Sequence, residues 1–155
     1  MKKFNLQSLL YYTLIPLMLA FTISMLIPSY KDIYGSLNKG INVPPVVFVV
    51  VWSLLYILMG ISAYIVDNSG EENIKNSLII YYVQLFVNLL WPILFFGFGK
   101  IFISLGIIIL LLGLVIINFI KFYKINKIAG YLLIPYIAWL VFATYLNYTI
   151  YVLNK

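Results

Sequence analysis

The chain has 155 residues, of which 65% are hydrophobic and only 9% charged, with a mean hydropathy of +1.07. A water-soluble domain carries about 25% charged residues because its surface faces water, so a soluble fold is excluded. The formal charge of +6 comes from ten lysines against four acids, without arginine, so the bidentate forks that grip phosphate are missing. That charge reads as anchoring to the headgroups of a lipid bilayer, and no nucleic-acid partner is expected. Cysteine and histidine are both absent, which removes disulfides, thiolate nucleophiles, zinc sites and imidazole bases. No metal and no other cofactor is expected.

A membrane-spanning helix needs about 20 consecutive apolar residues, and the chain holds five such stretches, at about 9–27, 45–66, 77–96, 101–120 and 130–153. The fold class is therefore all-α: a polytopic bundle of five transmembrane helices forming one membrane domain over residues 1–155. The first stretch follows Lys2 and Lys3; it is too long for a secretory signal core and no small-residue cleavage site follows it, so it is expected to be retained. Pro16 lies inside it, where the missing N–H favours a kink. The polar segment from Pro28 to Pro45 is the longest loop. The second stretch opens with Pro44 and Pro45, where a missing N–H costs nothing, and ends at the acidic turn Asp67-Asn68-Ser69-Gly70-Glu71-Glu72.

The third stretch is interrupted by Pro92, and the connection Gly97-Phe98-Gly99-Lys100 is so short that the third and fourth stretches should be antiparallel neighbours. Lys121, Lys124 and Lys127 form a basic loop after the fourth. Six lysines fall on the side of the N-terminus and four on the other, which by the positive-inside rule places the N-terminus in the cytoplasm.

On this segmentation no Asp, Glu or Lys falls inside any stretch, and coupled ion transport depends on such groups, so pumping is disfavoured. The stretches carry rings and amides at helical spacing instead. Gln84, Asn88, Trp91 and Phe95 share one face of the third; Tyr136, Trp139, Ala143 and Asn147 share one face of the fifth. Trp52, Tyr56 and Gly60 align on the second, with Ala63 beside them. Amides in lipid need partners, so Gln84, Asn88 and Asn147 are expected to face the bundle interior.

Two readings of these faces stand side by side. Together they would line an aromatic cavity with a few polar anchors, suited to a flat conjugated ligand. Equally, amides in spans glue helices together, and Trp and Tyr gather at both membrane interfaces. Asn118, Gly106 and Gly113 on the fourth stretch read as packing residues. Without Ser/His/Asp, Cys/His, a phosphate loop or a metal cluster, no conventional active site can be assembled.

The residues also resemble a known family. Leu132-Leu133-Ile134-Pro135-Tyr136, Trp139 and Phe142-Ala143-Thr144-Tyr145-Leu146-Asn147 with Ile150 are similar to the fifth helix of the translocator proteins, or tryptophan-rich sensory proteins, the TspO/MBR family. Val51-Trp52-Ser53-Leu54-Leu55-Tyr56-Ile57-Leu58-Met59-Gly60 resembles its second helix. Gln84-Leu85 with Asn88, Trp91 and Phe95-Phe96-Gly97 resembles its third. The resemblance implies a five-helix bundle, often a homodimer, integral to a bacterial cell membrane, that binds porphyrins such as protoporphyrin IX and other planar apolar ligands. Carried over by position, the ligand residues are Tyr34, Pro44, Trp52, Tyr56, Asn88, Trp91, Trp139 and Ala143, to which the amide spacing adds Gln84 and Asn147.

The first loop departs from the family. Where relatives carry a Trp, Asn38-Lys39-Gly40-Ile41-Asn42-Val43-Pro44-Pro45 offers Ile41 or Asn42, and one residue fewer stands before Trp52. Tyr34 is the upstream aromatic side chain available to replace part of that surface. Three functional readings remain open at this point. The first is binding, sensing or transport of a porphyrin; the second is light-dependent porphyrin degradation with Trp52 and Trp139 as the catalytic pair; the third is a purely structural membrane protein.

Overall fold

The computed structural model describes residues 3–27, 30–72 and 74–155, so Lys2 and the expected start of the first loop at Pro28 lie outside the described residues. Among the described residues all regular structure is helical, and five helices are long and apolar enough to cross a membrane. The first, α1, is Leu6–Leu26, started by the Asn5 side chain, which accepts from the Ser8 N–H at 3.2 Å. It begins three residues earlier than expected, because that amide caps an N-terminus the apolar pattern alone does not mark. Pro16 sits within α1 and the helix runs through it.

The first loop is not wholly irregular: it contains a short helix, α2, at Tyr30–Ser36, which hydropathy did not foretell. The second span, α3, is Pro45–Asp67, with proline in its first turn as expected. The third, α4, is Lys75–Pro92 and continues as a π-helical turn over Ile93–Gly97. Pro92 has no N–H to return to the carbonyl of Asn88, and the wider turn that follows closes with Phe98 N–H donating to the Ile93 carbonyl at 3.0 Å. Gly99, at φ +61°, makes the sharp connection to the fourth span, α5, Ile101–Ile125.

The fifth span is in two pieces. A short helix, α6, Lys127–Tyr131, is capped by Asn126, whose side chain accepts from the N–H groups of Ile128 and Ala129. Then α7, Ile134–Leu153, restarts with Pro135 in its first turn. Proline at that position cannot donate to the carbonyl four residues back, so a continuous helix over 130–153 is replaced by a break at Leu132-Leu133. Lys121 and Lys124, expected in a loop, lie in the last turns of α5. Lysine side chains extend along a helix end toward the headgroups, so the helix outlasts its apolar stretch.

The spans close into a ring in which α1 neighbours α3, α3 neighbours α7, α7 neighbours α5, α5 neighbours α4 and α4 returns to α1. The expected antiparallel pairing of α4 with α5 is present, while α3 touches all four other spans. Met59, Tyr81, Ile108, Val115, Phe122 and Leu140 are fully buried at its centre. Gly106 and Gly113, expected to pack helices together, have open space where a Cβ would stand.

Two glycines do bring backbones together. A Cβ on Gly60 would strike the Tyr12 carbonyl oxygen and lie 2.7 Å from the Thr13 Cα, so α1 and α3 cross in backbone contact there. A Cβ on Gly130 would lie 2.8 Å from the Tyr123 Cα, which seats α6 against α5. The membrane-spanning part of α1 is only 17% buried, against 28–39% for the other spans, and the Gly60 crossing holds it together with the bonds from Asn5 N–H to the Tyr64 hydroxyl at 3.1 Å and from the Ser8 hydroxyl to Asp67 Oδ2 at 3.5 Å. Gly60→Ala should therefore lower thermal stability in detergent by about 1–3 kcal/mol, measured by heat unfolding; a melting temperature equal to wild type would show that the crossing carries no weight.

Candidate functional site

Beyond the Gly60 crossing, the C-terminal half of α1 and the N-terminal half of α3 line opposite sides of a cavity of about 880 Å³, with the C-terminal end of α4 as its back wall. Its apolar side is Leu17, Phe21, Ile23 and Ile27 from α1. Its aromatic side is Phe48, Trp52 and Tyr56 from α3 with Trp91 and Phe96 from the α4 segment, and Asn88 supplies an amide. Met18, Phe21 and Val49 at its rim are exposed, so the mouth faces the side of the bundle that lipid would cover.

The amides are held by one another and by phenols. Tyr56 donates its hydroxyl proton to Asn88 Oδ1, Asn88 Nδ2 donates to the Tyr136 hydroxyl, and Tyr136 donates to Gln84 Oε1 at 3.0 Å. Gln84 Nε2 reaches the Met59 sulfur at 3.9 Å. This buried chain ties α3, α4 and α7 together, and only its Asn88 and Tyr56 end borders the cavity. An amide has two N–H donors and two acceptor positions, and this chain uses one of each on Asn88.

Asn147 belongs to a second cluster. Its Oδ1 accepts from the Trp91 indole N–H at 3.0 Å and from the Ser104 hydroxyl at 3.1 Å, and its Nδ2 donates to the Ile101 carbonyl at 3.1 Å. It thus clamps α7 to α4 and α5. Gln84, Asn88 and Asn147 are all buried in the interior, the environment that their cost in lipid demands.

The first loop lies over the same end of the bundle. Asn38 N–H donates to Asn154 Oδ1 at 2.9 Å and the Asn38 carbonyl accepts from Asn154 Nδ2 at 2.8 Å, while Gly40 sits against Thr149. Tyr34 is buried edge-on between Phe48 at 6.1 Å and Phe96 at 5.8 Å, with the Lys39 ammonium 4.5 Å from its ring centroid. Burial pushes the Tyr34 phenol above its ordinary value, so it stays protonated.

Of the expected ligand residues, Trp52, Tyr56, Asn88 and Trp91 come together on the cavity. Tyr34, Ala143 and Asn147, again with Trp91, border a residual space of only about 20 Å³ beneath the first loop. Trp139 lies behind Phe48 and Trp52, at 5.9 and 6.5 Å between ring centroids. Pro44 is the exposed N-cap of α3 and borders neither space, and Gln84 lies inside the hydrogen-bonded chain. Sequence reasoning missed Phe48 and the whole α1 wall. Phe48 precedes Trp52 by one helical turn, so extending the α3 aromatic stripe backward finds it; α1 offers no polar or periodic signal.

These features define a class: a five-span membrane protein whose bundle holds an aromatic-walled, amide-anchored cavity open toward lipid. The TspO/MBR family model matches residues 12–153, and the chain belongs to the TspO/MBR family. It is 39% identical over 127 residues to a tryptophan-rich protein TspO of Archaeoglobus fulgidus, covering 81% of this chain and 82% of that one. It is 34% identical to the tryptophan-rich sensory protein of Cereibacter sphaeroides, covering 78% of this chain and 76% of that one. To the human translocator protein it is 35% identical, covering 76% and 72%.

If Asn147 is a clamp and not a ligand contact, Asn147→Leu strands the Trp91 and Ser104 donors and lowers stability by about 1–3 kcal/mol. Ligand affinity of the folded fraction should stay within about twofold of wild type, since a loss near 0.4 kcal/mol is below one hydrogen bond. A melting curve and a titration on the same preparation separate the two effects.

Proposed function

We propose that this protein binds a planar, largely apolar ligand of the porphyrin class in the cavity between α1, α3 and α4, acting as a membrane-embedded sensor or carrier. The observation that carries this reading is the 880 Å³ space walled by Trp52, Tyr56, Trp91 and Phe96 with the Asn88 amide in its floor. Ligand pockets run about 300–1,000 Å³, and rings of this kind stack on flat conjugated faces while one amide N–H holds a carbonyl or carboxylate. Membership of the TspO/MBR family supports the same reading, and the proposal includes a bacterial cell membrane as the setting and a homodimer as the assembly.

Titrating the purified chain with protoporphyrin IX should quench tryptophan fluorescence saturably, because Trp52 and Trp91 both border the cavity. Asn88→Ala should weaken binding by about tenfold, the worth of one buried hydrogen bond. Absence of saturable quenching in wild type would sink the reading.

A second reading rests on the indoles. Trp52 stands 6.4 Å from Trp91 and 6.5 Å from Trp139, so a porphyrin in the cavity would lie against linked readily oxidised rings. On that reading illumination of the complex in air oxidises the porphyrin, with dioxygen as the final electron acceptor and Trp52 and Trp139 taking part in electron transfer from the excited porphyrin. Bleaching of bound protoporphyrin should then slow several-fold in Trp139→Phe; equal bleaching in wild type and variant excludes a part for Trp139.

A further inference from the structure

The lipid-facing cavity lies in one half of the bundle. Its α1 wall runs from Leu17 to Ile27, about 15 Å at the helical rise, which is half of a hydrocarbon core about 30 Å thick. Its α3 wall starts at Pro45, the first residue of that span, and ends at Tyr56, midway along it. The space therefore has the depth of one leaflet, the leaflet on the first-loop side, with its floor at the bilayer midplane. Its mouth opens sideways, past the exposed side chains of Met18, Phe21 and Val49, into the acyl chains of that leaflet.

The walls offer little to water. The Ser24 hydroxyl donates to the Phe21 carbonyl and the Ser53 hydroxyl to the Val49 carbonyl, each at 2.7 Å. Tyr56 donates its hydroxyl proton to Asn88 Oδ1, and Trp91 its indole proton to Asn147 Oδ1. The three hydroxyls on the wall and the Trp91 indole are thus spent on protein partners. Apolar cavities of roughly 150 Å³ stay dry and take up hydrocarbon, and this one holds about 880 Å³. Left empty, it forfeits dispersion contacts over its whole lining. The bonds from Asn5 and Ser8 to α3 and the Gly60 crossing all lie in the N-terminal half of α1, so its other half takes support from whatever fills the space.

We infer that, in the membrane and without a planar ligand, the cavity holds an acyl chain of a phospholipid from the leaflet on the first-loop side, its headgroup staying at the interface beside Ile27 and Pro45. No lining residue is charged, so nothing in the wall selects a free carboxylate, and the chains at the mouth are those of the bilayer itself. The inference stands on the depth and walls of the cavity and goes beyond the porphyrin reading. It names the molecule that a planar ligand must displace.

The test is the fluorescence of the full chain in phosphatidylcholine bilayers whose acyl chains carry bromine midway along their length, against unbrominated bilayers. Bromine quenches indole at short range. The reporter is Trp91, 6% exposed, left as the single indole by Trp52→Phe with Trp139→Phe; the Trp139 N–H has no partner to lose. Brominated bilayers should lower its emission by half or more. Ser24→Phe or Ser53→Phe on that background, each placing a ring in the space while breaking no bond between helices, should restore most of it. If the double variant melts early, Trp139→Phe alone leaves Trp52 and Trp91 on the cavity and gives the same readout.

Emission equal in the two bilayers overturns the inference. So does quenching that neither plugging substitution relieves, since it then comes from lipid on the outer surface. Full quenching by a trace of brominated free fatty acid in unbrominated bilayers overturns the phospholipid as occupant. None of these measurements uses a porphyrin, so the two proposals fail separately. Relieved quenching without saturable protoporphyrin IX binding keeps the chain and removes the porphyrin reading, and the converse removes the chain alone.

Discussion

No polar group can be left to water inside a bilayer, and that constraint organises this bundle. The chain from Tyr56 through Asn88 and Tyr136 to Gln84 pairs a phenol or an amide on each of α3, α4 and α7 with its neighbour. Asn147 does the same for α4, α5 and α7. Between apolar helices in lipid no hydrophobic force chooses a register, so these bonds and close packing must do so. Tyr81, Asn118 and Trp139 are the described residues with buried side-chain polar atoms that find no partner. Of these, Trp139 lies behind Phe48 and Trp52, two residues of the cavity wall.

The amide clusters hold α3, α4, α5 and α7, and they leave α1 out. Its hold on the bundle is confined to its N-terminal half, where Asn5 and Ser8 bond Tyr64 and Asp67 of α3 and the backbones meet at Gly60, and past that point its apolar side chains face the aromatic wall of α3 across open space. The cavity is therefore a consequence of how the polar bonds are distributed. Four helices are cross-linked, and the fifth rests against them over part of its length. An opening to lipid on the α1 side follows, and it suits a ligand that dissolves in the bilayer.

The three inward amides stand in different places relative to the cavity. Gln84 and Asn147 bond partners on other helices and lie off the cavity, as residues that join helices do. Asn88 makes two of its bonds within the chain and still borders the cavity. Helical spacing placed all three on inward faces but could not tell them apart, because spacing carries no information about which groups on other helices lie opposite. The same limit hid Phe48, which borders both the cavity and the space beneath the first loop.

The amino-acid sequence by itself determined five spans, their order, the uncharged interior and the inward faces of the third and fifth spans, because these follow from local hydropathy and a 3.6-residue period. It also put the tight connection around Gly99 within reach of simple backbone rules, whereas the apolar run over 130–153 did not mark the break before Pro135. Only the tertiary structure decided that α1 supplies one wall of the cavity, that α2 carries Tyr34 into the space before Ala143, and that Asn154 clips the first loop to α7. Those contacts join residues as many as 116 positions apart. They depend on how whole helices cross, which no local pattern of apolar and polar residues encodes.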